Sequence, residues 1–191
     1  MALVDRIGSG MEGLGGGIVL TSVDALVDWS RGQSLWAFAM GTACCAMELI
    51  ASSFSKFDFD RLGTFPRPDP RHTDVIILAG TITEKMKPAV RRLYDQMPDP
   101  KWVIAMGNCT VSGGIFYYDS YTVVRGADTF LPVDVYISGC PPRPEALQDG
   151  IIQLRELVHM ESIAPGKRRE RTTLLPGAPS APVSDGEGGE Q

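Results

Sequence analysis

Four cysteines carry the most chemistry this sequence offers. Cys44 and Cys45 are adjacent, within Gly41-Thr42-Ala43-Cys44-Cys45-Ala46-Met47-Glu48, while Cys109 and Cys140 stand far along the chain. A disulfide between neighbours is strained, and neighbouring side chains on a strand point to opposite faces. Both thiols can meet one object only where a strand breaks into a turn, and Gly41 supplies a place for that break. Three readings are open. Buried cysteines commonly act as small hydrophobes, which explains neither the pairing nor the placement after glycines. Structural zinc uses C-x₂₋₄-C knuckles and staples small domains, and no such knuckle is present. An iron–sulfur cube takes four thiolates and tolerates ligands scattered along a chain. The spacing favours the cube.

The elements around these residues bring them together. Leu35 to Met40 reads as a short buried strand, and Ala46 to Phe54 as a helix with Met47, Ile50, Ala51 and Phe54 at helical spacing. Strands are predicted at Val75 to Ala79, Trp102 to Met106 and Val133 to Ser138. Helices are predicted to open at Pro88, with Val90, Leu93, Tyr94 and Met97 inward, and at Pro144, with Leu147, Ile151, Leu154 and Val158 inward. A short helix from Thr21 or Ser22 through Trp29 would bury Val23, Leu26 and Val27. Lys56 to Asp74 alternates Pro66, Pro68 and Pro70, which forbids helix and central strand and marks a long loop. Alternating strands and helices give an α/β fold with an open parallel sheet. Each of the four strands ends in glycine (Gly41, Gly80, Gly107, Gly139), and three of those glycines lead within four residues to cysteine. Ligands of open α/β sheets sit outside the carboxyl ends of the strands, so all four thiols converge at one sheet edge.

The 191-residue chain has 43% hydrophobic and 21% charged residues, enough for one well-packed core. A net charge of −5 gives no electrostatic footprint for nucleic acid. No apolar run reaches the roughly 18 residues of a membrane span. The amino terminus lacks the basic-then-apolar order of a secretory signal, so the expected setting is cytosolic, where thiols stay reduced. Residues 1–20 form a glycine-rich arm, 21–164 the α/β domain, and 165–191 a tail of disordered composition. The glycines at 13 to 17 follow no strand, which argues against a nucleotide site.

From about Thr21 to Met160 the sequence also resembles a known family, the B subunit of proton-pumping NADH:quinone oxidoreductase, respiratory complex I. The resemblance rests on the tandem-cysteine stretch with Ser34-Leu35-Trp36 before it, and on Ala79-Gly80-Thr81-Ile82-Thr83 and Tyr94-Asp95-Gln96-Met97-Pro98. Met106-Gly107-Asn108-Cys109, Tyr121-Thr122-Val123-Val124-Arg125-Gly126, Pro132-Val133-Asp134-Val135-Tyr136 and Gly139-Cys140-Pro141-Pro142 carry the rest. It implies a flavodoxin-like sheet with helices on both faces. It further implies that Cys44, Cys45, Cys109 and Cys140 ligate one [4Fe-4S] cluster that passes electrons to quinone, coupled to proton translocation by the whole complex. Glu48 would be a carboxyl beside the cluster, offering a route to proton uptake on reduction. Asp58, Asp95 and Asp99 match acidic positions near the cluster and quinone region, and Met47 and Ile50 would line a quinone headgroup pocket shared with a partner subunit. Spacing alone allows core packing for Met47 and Ile50, a solvated helix position for Glu48, and surface charges for the aspartates. Arg61, Gly63, Arg67, Pro70, Arg71 and Asp74 match the family's loop Arg-Phe-Gly…Arg-x-Ser-Pro-Arg-Gln-x-Asp, with Leu62 for Phe, Asp69 for Ser and His72 for Gln; surface ion pairing is the plain reading of its arginines. The implied partners are an upstream iron–sulfur subunit, the subunit sharing the quinone pocket, and the membrane arm. The implied place is peripheral, on the cytoplasmic side of the inner membrane, with no activity as an isolated chain. Two alternatives stand beside this: the small electron-transfer subunit of a membrane-bound nickel–iron hydrogenase, and a structural zinc protein with four cysteine ligands.

Overall fold

A computed structural model describes residues 26–160 apart from Asp28 and Asp119. The arm at 1–20, the tail at 165–191 and both limits of the 21–164 domain lie outside the described residues, as does Val23. Within the expected first helix, Leu26 and Val27 are exposed, and helix continues through residues 29–33.

Five strands form one all-parallel sheet: β1 (Leu35–Gly41), β2 (Thr64–Arg67), β3 (Val75–Ala79), β4 (Trp102–Met106) and β5 (Val135–Ile137). Their spatial order is β2-β1-β3-β4-β5, the flavodoxin-like order. Besides that first helix, four more are described: α1 (Cys45–Ser52), α2 (Lys87–Gln96), α3 (Asn108–Ser112) and α4 (Pro144–Met160). β3 and β4 are buried along their whole length because the sheet is covered on both faces. Alternate strand residues divide between two cores. Val75, Ile77, Ile104 and Met106 pack with Leu49 of α1 and with Leu147, Ile151, Leu154 and Val158 of α4. Ile76, Leu78, Val103 and Ala105 pack with Val90 and Tyr94 of α2 and with Met97 just past its end.

The proline-rich segment departs from expectation. Thr64 to Arg67 is a strand, pairing with β1 from Leu35↔Thr64 to Phe38↔Arg67. It is tolerated because β2 is an edge strand, where a missing N–H at Pro66 need not break a ladder. From β2 the chain returns past β1 to β3 through a single 3-10 turn at Pro70–His72. The order therefore reverses between β1 and β3, which puts the fold's switch point directly above the tandem cysteines.

Candidate metal centre

Three strand-end turns carry the four thiols. After Gly41, the N–H of Thr42 donates to the Ala79 carbonyl at 3.0 Å, so β1 and β3 stay paired up to the break. Cys44 is the residue that caps α1, with helical backbone angles and no side-chain capping bond, and Cys45 is the first helical residue. The corner separates the two thiols by environment: Cys44 is exposed and Cys45 is buried. The Cys45 sulfur lies against Gly107, where an added Cβ would stand 2.4 Å from it. Gly107 also has φ +95, so both the backbone and the space require glycine there. Cys109 is buried within α3, and Cys140 is exposed just past Gly139.

Burial pushes the Cys45 thiol up to about 11, and the Cys44, Cys109 and Cys140 thiols push it the same way. All three partners thus lie within electrostatic reach of Cys45. A buried thiol among thiols gives up its proton readily only to a cation that replaces it. Among the described residues no three His, Cys, Asp or Glu side chains gather closely enough to hold one ion. Tetrahedral zinc needs its four ligands within about 2.3 Å of one point. A four-iron cube instead takes one thiolate at each of four separated corners. The donor set of one buried pair and one exposed pair, spread over three turns, fits the larger group.

The other predicted residues divide between the two edges of the sheet. Met47 and Ile50 sit on the outer side of α1, 69% and 52% exposed, with Phe54 beyond them at 63%. Core packing is thereby ruled out for Met47 and Ile50; the buried side of α1 is Cys45, Leu49 and Ser52. Glu48 is half-buried on the first turn of α1, close in sequence to the tandem thiols. Asp58, Asp95 and Asp99 are exposed. Asp58 follows α1 on the approach to β2, whose first residue pairs with the first residue of β1. Asp95 is in the last turn of α2, which leads into the start of β4, and it pairs with Arg91 at 3.4 Å. All three therefore lie toward the amino edge.

In the loop, the Arg67 guanidinium stacks on Trp36 at 4.3 Å and Phe65 at 5.2 Å. Asp69 and His72, two of the departures from the family's pattern, engage each other at 2.8 Å. Asp69 also accepts the Arg71 N–H, and that bond, with His72, holds its carboxyl below the usual range. Nothing in the spacing singles out Asn108 or Thr110, yet both reach from beside Cys109 to a neighbouring strand-end turn.

The fold is a flavodoxin-like α/β sheet whose four cysteines all stand in the turns at its carboxyl edge. The sequence profile described as "NADH ubiquinone oxidoreductase, 20 Kd subunit" matches residues 43–154, which include all four cysteines. The chain belongs to that family. It is 58% identical over 158 residues to subunit K of the NAD(P)H-quinone oxidoreductase of Crocosphaera subtropica, covering 83% of this chain and 62% of the relative. Against subunit K of Prochlorococcus marinus it is 56% identical over 155 residues, covering 81% and 64%. The Synechococcus elongatus subunit K is 52% identical over 181 residues, covering 92% and 77%. The matched stretch spans less than two thirds of the Crocosphaera and Prochlorococcus proteins. Among solved structures, a chain of the membrane-bound sulfane sulfur reductase, an archaeal respiratory membrane complex, is similar with a TM-score of 0.68 and 40% identity. That similarity covers 72% of this chain and 77% of the other. No described helix is long and apolar enough to cross a membrane.

Proposed function

We propose that this chain is the electron-transfer subunit of a proton-translocating NAD(P)H- or NADH-quinone oxidoreductase, holding a [4Fe-4S] cluster on Cys44, Cys45, Cys109 and Cys140. The convergence of four thiols on one sheet edge carries the reading. A cluster bound there supplies one-electron transfer. The buried pair Cys45 and Cys109 and the exposed pair Cys44 and Cys140 would hold it. The outer side of α1 presents Met47 and Ile50 as an apolar shelf that a partner subunit would cover, leaving room for a quinone headgroup. Exposed apolar side chains in a row mark such covered surfaces. Glu48 stands half-buried on the turn between shelf and thiols. The partners in this reading are an upstream iron–sulfur subunit, the subunit sharing the quinone pocket and the membrane arm. The chain itself is peripheral, on the cytoplasmic side of the inner membrane.

The solved relative named for sulfane sulfur gives a second reading, in which the same subunit serves a different final acceptor. Identity of 52–58% to quinone oxidoreductase subunits, against 40% to the sulfur reductase chain, favours quinone. The test is low-temperature EPR on anaerobically purified, dithionite-reduced protein, with iron and sulfide assays. A fast-relaxing signal near g = 2 with about four irons per chain is the expected result for a cube. Stoichiometric zinc with a silent spectrum would sink the proposal.

A further inference from the structure

Asn108 and Thr110 stand on either side of Cys109, and each bonds to a different neighbouring turn. The Thr110 hydroxyl is buried; it accepts the N–H of Gly80 at 3.1 Å and donates to the Gly80 carbonyl. Gly80 in turn lies against Ala43, the residue before Cys44: an added Cβ on Gly80 would stand 2.7 Å from the Ala43 nitrogen. On the other side, the Asn108 side-chain oxygen accepts the N–H of Gly139 at 2.9 Å. The Asn108 N–H donates back to the Gly139 carbonyl at 2.9 Å, and Gly139 precedes Cys140. The turn bearing Cys109 is thus tied directly to the Cys140 turn, and through Gly80 to the turn of the tandem thiols.

We propose that Asn108 and Thr110 are positioning residues that fix the spacing of the three thiol-bearing turns before any metal arrives. This rests on the cluster reading above for its purpose, and on the hydrogen bonds alone for its geometry. Preset donors bind tightly because their arrangement need not be reached during binding. Partners that orient metal ligands without touching the metal commonly change affinity by about 10–100-fold when removed. The two braces differ in strength. The Thr110 bonds are buried, so no water can replace a missing hydroxyl, whereas Asn108 is exposed and water can stand in.

The test uses the full chain as wild type, Thr110→Val, Thr110→Ser and Asn108→Ala, with circular dichroism confirming the fold. In one arm each protein is reconstituted anaerobically with ferrous iron and sulfide, then followed by EPR and by the lifetime of its visible absorbance in air. Thr110→Val should shift or broaden the EPR signal and shorten that lifetime about tenfold, Thr110→Ser should stay within about twofold of wild type, and Asn108→Ala should fall between. In the other arm the metal-free chains bind phenylarsine oxide, a trivalent arsenical that bridges neighbouring thiols; Thr110→Val should again weaken binding about tenfold. Should Thr110→Val fail to fold, Asn108→Ala carries the same two measurements. A folded Thr110→Val that matches wild type in lifetime, spectrum and arsenical affinity would overturn the proposal even if the wild type takes up a cluster. A wild type that takes up no cluster while Thr110→Val still loses arsenical affinity would overturn the cluster reading and leave the positioning role standing.

Discussion

At the amino edge of the sheet, Asp74 and Asp134 each stand one residue before a strand and turn a carboxylate onto the neighbouring strand. Asp134 accepts the Val103 N–H at 2.8 Å, and Asp74 accepts the Trp36 N–H at 3.4 Å. Each returns its own N–H to the carbonyl of that same residue, at 2.9 Å in both cases. Nearby, Asp95 faces Arg91 and Asp69 faces His72. At the carboxyl edge the hydrogen bonds run between turns, through Thr42, Asn108 and Thr110. At the amino edge, Asp74 and Asp134 thus hold strands in register. The polar groups of the carboxyl edge tie the turns to one another.

The sharpest way to break this contrast is at the thiols. Cys45→Ala or Cys109→Ala should remove the reduced-cluster EPR signal, while the unfolding free energy of the metal-free chain changes by only about 1 kcal/mol. A signal that survives either substitution would mean the carboxyl edge does not bind through these sulfurs. At the other edge the pattern should invert. Asp134→Ala removes a charged acceptor from the Val103 N–H and should cost about 1.5–3 kcal/mol in urea unfolding, with the EPR signal retained in the folded protein. Loss of the cluster from a folded Asp134→Ala chain would show that the two edges are not separable. A smaller effect concerns the aspartates that the family resemblance matches to acidic positions near the cluster and quinone region. Asp58→Asn and Asp95→Asn should leave the midpoint potential of the cluster where it is in wild type, since both residues lie toward the amino edge. A redox titration showing a shift would return them to the cluster's surroundings.

These residues also show what the sequence made legible. The apolar runs at 75–79 and 102–106 could be only buried strands, and the glycine after each strand announced the turns that gather the cysteines. Helix α4 was equally plain, because Leu147, Ile151, Leu154 and Val158 make one stripe, and all are buried. Helix α1 was not. Met47, Ile50 and Phe54 share a helical spacing, but so do Cys45, Leu49 and Ser52, and periodicity does not say which stripe meets the sheet. Strand β2 was hidden by Pro66, whose cost depends on an edge position that only the topology reveals. The five residues of α3 are too few to show a period, so the roles of Asn108 and Thr110 beside Cys109 could not be read. The matching Asp-Val pairs at 74–75 and 134–135 were a visible signal for the amino-edge acids, each an acid directly before an apolar strand.

The finest test separates the two strand-leading acids from each other. Burial pushes the Asp74 carboxyl above its ordinary range, outweighing the Trp36 N–H that pulls it down. The folded chain therefore binds this proton more tightly than the unfolded chain does. The stability linked to it is fully present below the ordinary carboxylate value of about 3.9 and is lost as pH rises through the raised value. Asp74→Asn keeps an oxygen to accept the Trp36 N–H and has no charge to bury. Relative to wild type, its urea midpoint should accordingly improve as pH rises from about 4 through the raised value. If Asp74→Asn instead loses ground as pH rises, the ionised carboxylate is holding Trp36 more strongly than burial opposes it. Asp74 would then belong with Asp134 as an acid whose charge the fold uses, and the amino edge would stabilise charge at both of its strand starts.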